Sequence, residues 1–247
     1  MKLTKPEEKI ESPRSYLKLR DSKDESIRSE KLAFTGRIAA SIAHEIRNPL
    51  TNVSISIQQL KKAFKPKDPG FKHVEIIIRN TERINYLITE LLNCARPPKL
   101  KMQHYDIHKL LKDILESSKN EIESQRIKVV KEFTSKSSTI NMDREHMERA
   151  FLNIVINAIE AMPKGGKLTI ATEYDEDFFV VKIQDTGKGI PEEDIIKIFD
   201  PFFSSKFSGI GLGLTVCYGI IVSHGGIIEV ESRPNEGSLF TVVLPID

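Results

Sequence analysis

The stretch Ala39-Ala40-Ser41-Ile42-Ala43-His44-Glu45-Ile46-Arg47-Asn48-Pro49-Leu50-Thr51-Asn52-Val53-Ser54-Ile55-Ser56-Ile57-Gln58-Gln59-Leu60-Lys61-Lys62-Ala63-Phe64 decides the architecture. Ala39, Ala43, Ile46, Leu50, Val53, Ile57, Leu60 and Phe64 follow one another at alternating gaps of four and three. That is a heptad seam, and it predicts a long helix beginning near Asp24. Lys65-Pro-Lys-Asp-Pro-Gly70 stops it with two prolines and a glycine. A second heptad helix is expected from about Phe71 to Ala95, with Val74, Ile77, Thr81, Ile84, Ile88, Leu91 and Ala95 on its seam. Two helices joined by a short breaker form an antiparallel hairpin. Such a hairpin cannot enclose its own apolar seam, so pairing of two hairpins into a four-helix bundle, and hence a homodimer, is expected.

On the heptad frame Ala43 and Ile46 point into the seam, which leaves His44 and Asn48 on the outer face, one turn apart. Pro49 donates no backbone hydrogen bond to the Glu45 carbonyl, so a bend or loosened turn is expected just after the histidine. A neutral imidazole is a competent nucleophile near neutral pH. A neighbouring carboxylate that accepts its other ring N–H fixes the tautomer and raises nucleophilicity. An isolated helical histidine is more often a solvated surface residue, and only its context weighs against that.

Arg96-Pro97-Pro98-Lys99 ends the second helix and reads as a linker. Three parts follow: a polar leader over residues 1–23, a hairpin domain over 24–98, and a mixed α/β domain over 99–247. In the last, helices are expected at Ile107–Ser124, Arg144–Met162, Glu193–Phe199 and Gly211–Ser223. Strands are expected at 127–133, 138–141, 167–174, 178–184, 226–232 and 237–244, making a two-layer α/β sandwich.

Four segments of this domain carry chemistry. Asn153-Ile-Val-Ile-Asn157 places two amides four residues apart on one face of an apolar helix, where they need partners. Their oxygens suit Mg²⁺ and their N–H groups suit phosphates. Asp185-Thr186-Gly187-Lys188-Gly189-Ile190-Pro191 follows a strand; its carboxylate can accept from an exocyclic amine, and glycines let backbone approach a flat ligand. Phe199-Asp-Pro-Phe202-Phe203, with Ser204-Ser205-Lys206 after it, taken alone reads as core. Gly209-Ile210-Gly211-Leu212-Gly213-Leu214 opens a helix whose free N–H groups make a phosphate cradle. Each segment alone is a weak signal.

Together, in this order, they resemble the N, G1, F and G2 boxes of the GHKL ATPase superfamily. His44-Glu45-x-Arg47-Asn48-Pro49 resembles the phosphoacceptor box of dimerising histidine kinases. The combined resemblance runs from about Glu30 to the C-terminus, and is close to nitrogen-regulation and sporulation-type sensor kinases, as in Asn157-Ala-Ile-Glu-Ala-Met-Pro-Lys-Gly-Gly166. It implies ATP-dependent phosphorylation of His44, with Glu45 as acid–base partner, and phosphoryl transfer to the aspartate of a response-regulator receiver domain. Glu45 with Asn48 matches the pattern linked to dephosphorylation of that partner. It further implies that Asp185 reads the adenine amine and that Asn153 and Asn157 handle Mg²⁺ and phosphates. Gly187, Gly189, Lys206, Gly209, Gly211, Leu212 and Gly213 complete the ATP site, the last group within a mobile lid. Ile210 stands where the G2 box usually has threonine, and the segment between Phe203 and Gly209 is short.

Related ATPases that hydrolyse ATP carry a glutamate where this chain has Asn153, and asparagine cannot act as a base. The alternative from another class is a non-catalytic ATP-binding dimeric scaffold. His104-x-x-x-His108 as a metal site is weaker, lacking a third ligand. With 37 basic and 35 acidic residues the net charge is +2, which argues against a nucleic-acid or membrane-surface binder. Two distant cysteines give no disulfide framework, and no uncharged run reaches the ~20 residues of a membrane span. A cytoplasmic protein, or the cytoplasmic portion of a larger sensor, is expected, answering to an upstream sensor domain or protein.

Overall fold

The computed structural model describes residues 46–65, 67–68, 70–95, 99–175, 177–204 and 211–246, with only the backbone of 83, 86, 87 and 90–95. The expected helix start near Asp24 and the seam residues Ala39 and Ala43 lie outside the described residues.

Helix α1 runs over 46–63 and α2 over Phe71–Ala95. The turn between them is closed locally. Lys65 N–H donates to Asp68 Oδ2 at 2.7 Å, and Phe71 N–H to the Asp68 carbonyl at 3.0 Å. A side chain at Gly70 would stand 2.6 Å from the Phe64 ring, so glycine lets the chain turn against that ring. The two heptad seams split into rows. Leu50 and Ile57 on α1, and Val74, Thr81 and Ile88 on α2, are buried. Ile46, Val53 and Leu60, with Ile77 and Ile84, form a second row at 41–48% exposure. Along the described part of each seam, buried and open residues therefore alternate, and Leu50 and Ile88 pack together. Helix α1 is helical through Pro49; Glu45, after which the sequence leads us to expect a loosened turn, lies outside the described residues.

Beyond the linker, β1 (Gln103–Asp106) pairs antiparallel with β3 (Thr139–Met142) in a small separate sheet. Strand β1 escaped the sequence reading because Gln-His-Tyr-Asp has no apolar alternation. The main sheet has the order β2-β4-β5-β7-β6, with β2 (Ile127–Glu132), β4 (Gly166–Tyr174), β5 (Phe178–Asp185), β6 (Ile227–Arg233) and β7 (Gly237–Pro245). Only the β2–β4 pairing is parallel.

Helices α3 (Ile107–Ser117), α5 (Arg144–Ala161) and α7 (Gly213–Ser223) bury their apolar faces in one core with the sheet. The expected helix over Ile107–Ser124 is broken into α3 and α4 (Lys119–Ser124) at Ser118. The Ser117 hydroxyl binds the Ile114 carbonyl at 2.8 Å, and Ser118 N–H closes the turn on the same carbonyl at 3.1 Å. The expected helix over 193–199 is the single turn α6 (Glu192–Ile195), which ends in further turns.

Helix α5 sets the site. Asp143 caps it by accepting His146 N–H at 3.1 Å. Met147, Ala150, Phe151, Ile154, Val155, Ala158 and Ile159 repeat at gaps of three and one and are all buried. That stripe forces Asn153 and Asn157 onto the opposite, half-exposed face.

Candidate nucleotide and phosphoacceptor sites

Asn153 Nδ2 donates to the Gly213 carbonyl at 3.1 Å, which ties the middle of α5 to the first turn of α7. Asn157 lies one turn further along the same face. A Cβ added at Gly213 would make ordinary contact with Asn153 at 3.6 Å, so the two residues are direct neighbours. The first turn of α7, with N–H groups that have no partner within the helix, therefore lies directly beside the Asn153 amide.

Asp185 ends β5 with 2% exposure, and its Oδ1 accepts Gly187 N–H at 2.7 Å. Burial raises its pKa above the ordinary carboxylate value; hydrogen bonds from Gly187 N–H and from the N–H and hydroxyl of Ser238 oppose that rise. From the sequence, Gly237 and Ser238 read only as the start of the strand expected over 237–244, not as site residues. Gly237 has φ +98°, and a Cβ there would sit 2.0 Å from the Asp185 carbonyl oxygen.

Glycines of the loop after β5 make room for the protein's own backbone. A Cβ at Gly187 would stand 2.5 Å from the Ala161 carbonyl, and one at Gly189, φ +67°, 2.0 Å from the Arg233 carbonyl. Lys188 N–H binds that Ala161 carbonyl at 3.1 Å, and Asn235 N–H binds the Lys188 carbonyl at 2.8 Å. The loop is thereby clamped between the end of α5 and the β6–β7 turn, fixing Asp185 near the C-terminal end of α5. Gly211 plays a similar part. Its φ is +72°, a Cβ would lie 2.3 Å from the Phe203 carbonyl, and its own carbonyl accepts Phe202 N–H at 3.1 Å. Leu212 is buried. Phe199 joins the core and Phe203 packs against it, while Phe202 is 56% exposed at φ 66°.

His44, Glu45, Lys206 and Gly209 lie outside the described residues. Asn48 is exposed on α1. His104 and His108 do not converge on a metal: His108 Nε2 pairs with Thr172 Oγ1 at 2.8 Å while its ring stacks on Phe133 at 4.6 Å. Among the described residues no three His, Cys, Asp or Glu side chains gather as a metal site. No described helix is long and apolar enough to cross a membrane.

The class these features define is a helical hairpin followed by an ATPase-type α/β sandwich. Residues 142–247 match the family described as histidine kinase-, DNA gyrase B-, and HSP90-like ATPase, and residues 35–99 match the His Kinase A (phospho-acceptor) domain. Sporulation kinase C of Bacillus subtilis is 37% identical over 88% of this chain and 50% of its own length. Sensor histidine kinase ZraS of Klebsiella oxytoca is 37% identical over 89% of this chain and 48% of its own. Among solved structures, the catalytic domain of histidine kinase ThkA is 32% identical with a TM-score of 0.56, over 60% of this chain and 97% of that one. ThkA in complex with response regulator protein TrrA covers 96% of this chain and 68% of that one, at 29% identity and a TM-score of 0.64. Full-length ShkA in complex with AMPPNP shares the fold at 22% identity, with a TM-score of 0.73 over 85% of this chain and 45% of that one. The chain belongs to the sensor histidine kinases. It spans about half the length, or less, of the curated relatives it matches.

Proposed function

We propose that this chain binds Mg-ATP along α5, transfers the γ-phosphoryl group to His44, and passes it to an aspartate of a response-regulator receiver domain. The observation that carries this reading is the pair of anchored ends on α5. Asp185 and its clamped loop lie at Ala161, and Asn153 with Gly213 lies two turns earlier, about 12 Å along the axis. An adenine at the first end directs a triphosphate toward the second. Asp185, oriented by Gly187 and Ser238, accepts the adenine amine. Asn157, Asn153 and the α7 amides hold the phosphates, with Lys206, Gly209, Gly211 and Leu212 in the covering segment.

The amide oxygens of Asn153 and Asn157 are the hard donors that Mg²⁺ prefers, and Asn153 is tied to the Gly213 carbonyl through its Nδ2 rather than its oxygen. When bound there, the ion would neutralise charge on the phosphate oxygens.

In the first step a ring nitrogen of His44 forms a bond to the γ-phosphorus. The bond from phosphorus to the bridging oxygen breaks, and ADP leaves with the electron pair. Glu45 accepts the proton from the other ring nitrogen. In the second step a carboxylate oxygen of the regulator takes the phosphoryl group, the N–P bond breaks, and the imidazole recovers its proton. Asn48 orients the water that later attacks the regulator's phosphoaspartate. The domains divide as 24–98 and 99–247, and the linker between them is the hinge that brings ATP to His44. The open row Ile46, Val53, Leu60, Ile77 and Ile84 buries itself against a second copy, giving a homodimer. A receiver domain as partner is supported by the ThkA–TrrA complex. An upstream sensor acts on the hairpin, and the chain works in the cytoplasm.

The test is labelling with γ-³²P-ATP. The parent chain should acquire acid-labile, base-stable label, and His44→Gln should lose it while still binding ATP. Nucleotide binding with no label on the parent would favour the non-catalytic scaffold.

A further inference from the structure

Away from the row of Asn153 and Asn157, Asp143 joins three segments distant in sequence. Its Oδ2 accepts the backbone N–H of Lys101 at 2.7 Å, in the linker just past the end of α2. Its Oδ1 caps α5 through His146 N–H at 3.1 Å and lies 3.0 Å from His146 Nδ1. Its own backbone N–H donates to His224 Nε2 at 3.0 Å. His224 is the C-terminal cap of α7, and its Nδ1 lies 2.8 Å from the Ile220 carbonyl. A carbonyl can only accept, so Nδ1 carries the proton and Nε2 is the acceptor. Asp143 is 4% exposed and His224 6%, so neither bond competes with bulk water.

Helix α7 is consequently held to α5 at both ends: Asn153 on Gly213 at its start, and Asp143 on His224 at its finish. A rigid eleven-residue helix carries a shift at one end to the other. The linker N–H enters this arrangement at Asp143. The Asp185 end of the site shares none of these bonds.

We propose that Asp143 and His224 are positioning residues that couple the linker after α2 to the seating of Gly213 against Asn153. A change in the linker would thereby alter phosphoryl transfer more than nucleotide affinity. This rests on the kinase function proposed above, because in-line transfer depends on the phosphate end, whereas the adenine end keeps its own anchor.

Three variants of the full chain separate the possibilities. Asp143→Ser keeps one oxygen to cap α5 and loses the oxygen that serves Lys101. His224→Leu removes the acceptor for Asp143 N–H without touching Lys101. His224→Gln restores an acceptor at the place of Nε2. Amide hydrogen exchange is measured at Lys101 and over residues 220–224, independently of any activity. His224→Leu should speed exchange at Lys101 by about tenfold, and Asp143→Ser should do the same over 220–224. In the autophosphorylation assay, kcat should fall about tenfold in both, KM for ATP should stay within roughly twofold, and His224→Gln should recover most of the rate. Unchanged exchange at Lys101 in His224→Leu, or over 220–224 in Asp143→Ser, overturns the coupling. So does a parallel loss of kcat and affinity that glutamine does not rescue. A parent chain that takes no label would count against the kinase function and leave the exchange experiment to decide the coupling.

Discussion

Asp185→Asn is the substitution for which the structure makes the sharpest forecast. The carboxylate is 2% exposed and is held by Gly187 N–H at 2.7 Å and by Ser238. Asparagine is nearly isosteric and can turn its one oxygen to Gly187. Its NH₂ then faces Ser238 or the adenine amine, donor against donor. A hydrogen bond to a charged group is worth about 1.5–3 kcal/mol, so affinity for ATP should fall roughly ten- to a hundredfold. Stability should behave differently. Burial raises the Asp185 pKa, so keeping the group ionised at neutral pH costs the fold. A raised carboxylate pKa contributes stability that is full below the ordinary value of 3.8 and is lost as pH rises through the folded value. Asparagine removes that cost, so its melting temperature at pH 7 should match or slightly exceed that of the parent. Titration with a fluorescent ATP analogue, beside a thermal melt, reads both quantities. Unchanged affinity would place the adenine elsewhere; a collapse in stability with lost affinity would make Asp185 a structural residue.

Four further outcomes follow from the same geometry. Asn48→Ala should autophosphorylate and transfer phosphate normally, yet slow the loss of phosphate from the regulator about ten- to a hundredfold, followed with unlabelled kinase and ADP present. Gly211→Ala must adopt φ +72° with its Cβ 2.3 Å from the Phe203 carbonyl; it should cost roughly 1–3 kcal/mol, read as a lower urea midpoint. Val53→Glu places a charge in the open seam row and should convert the dimer to monomer in sedimentation at micromolar concentration while leaving ATP affinity unchanged. Burial disfavours the charged form of Asp143, but hydrogen bonds from Lys101 and His146 outweigh it and hold its pKa at about 2. That depressed value contributes roughly 2 kcal/mol above pH 3.8, lost as pH falls toward 2, and the acid unfolding curve of Asp143→Asn should lack that component.

The hairpin was legible because a heptad is a local pattern: alternating gaps of four and three place Leu50, Ile57, Val74 and Ile88 on one stripe whatever surrounds them. The face of Asn153 and Asn157 was legible for the same reason, since the buried stripe of α5 is periodic in the chain itself. The order and spacing of the four site segments, together with the box around His44, carried the family resemblance. What the periodicity left open is which half of each seam turns inward. That choice depends on what packs against each helix, and the structure buries Leu50 and Ile57 and leaves Val53 and Leu60 exposed. The glycines show the same division. Their freedom at φ > 0 is a property of the residue, but what fills the space is decided by strands that arrive from elsewhere: Ala161 beneath Gly187, Arg233 beneath Gly189, Asp185 beneath Gly237. Ser238, Asp143 and His224 were invisible for that reason. Each bonds to groups separated from it by forty residues or more, Asp143 to Lys101 and His224, Ser238 to Asp185. Periodicity records where apolar surface must go, whereas a hydrogen bond between remote segments exists only once the tertiary fold has brought donor and acceptor within reach.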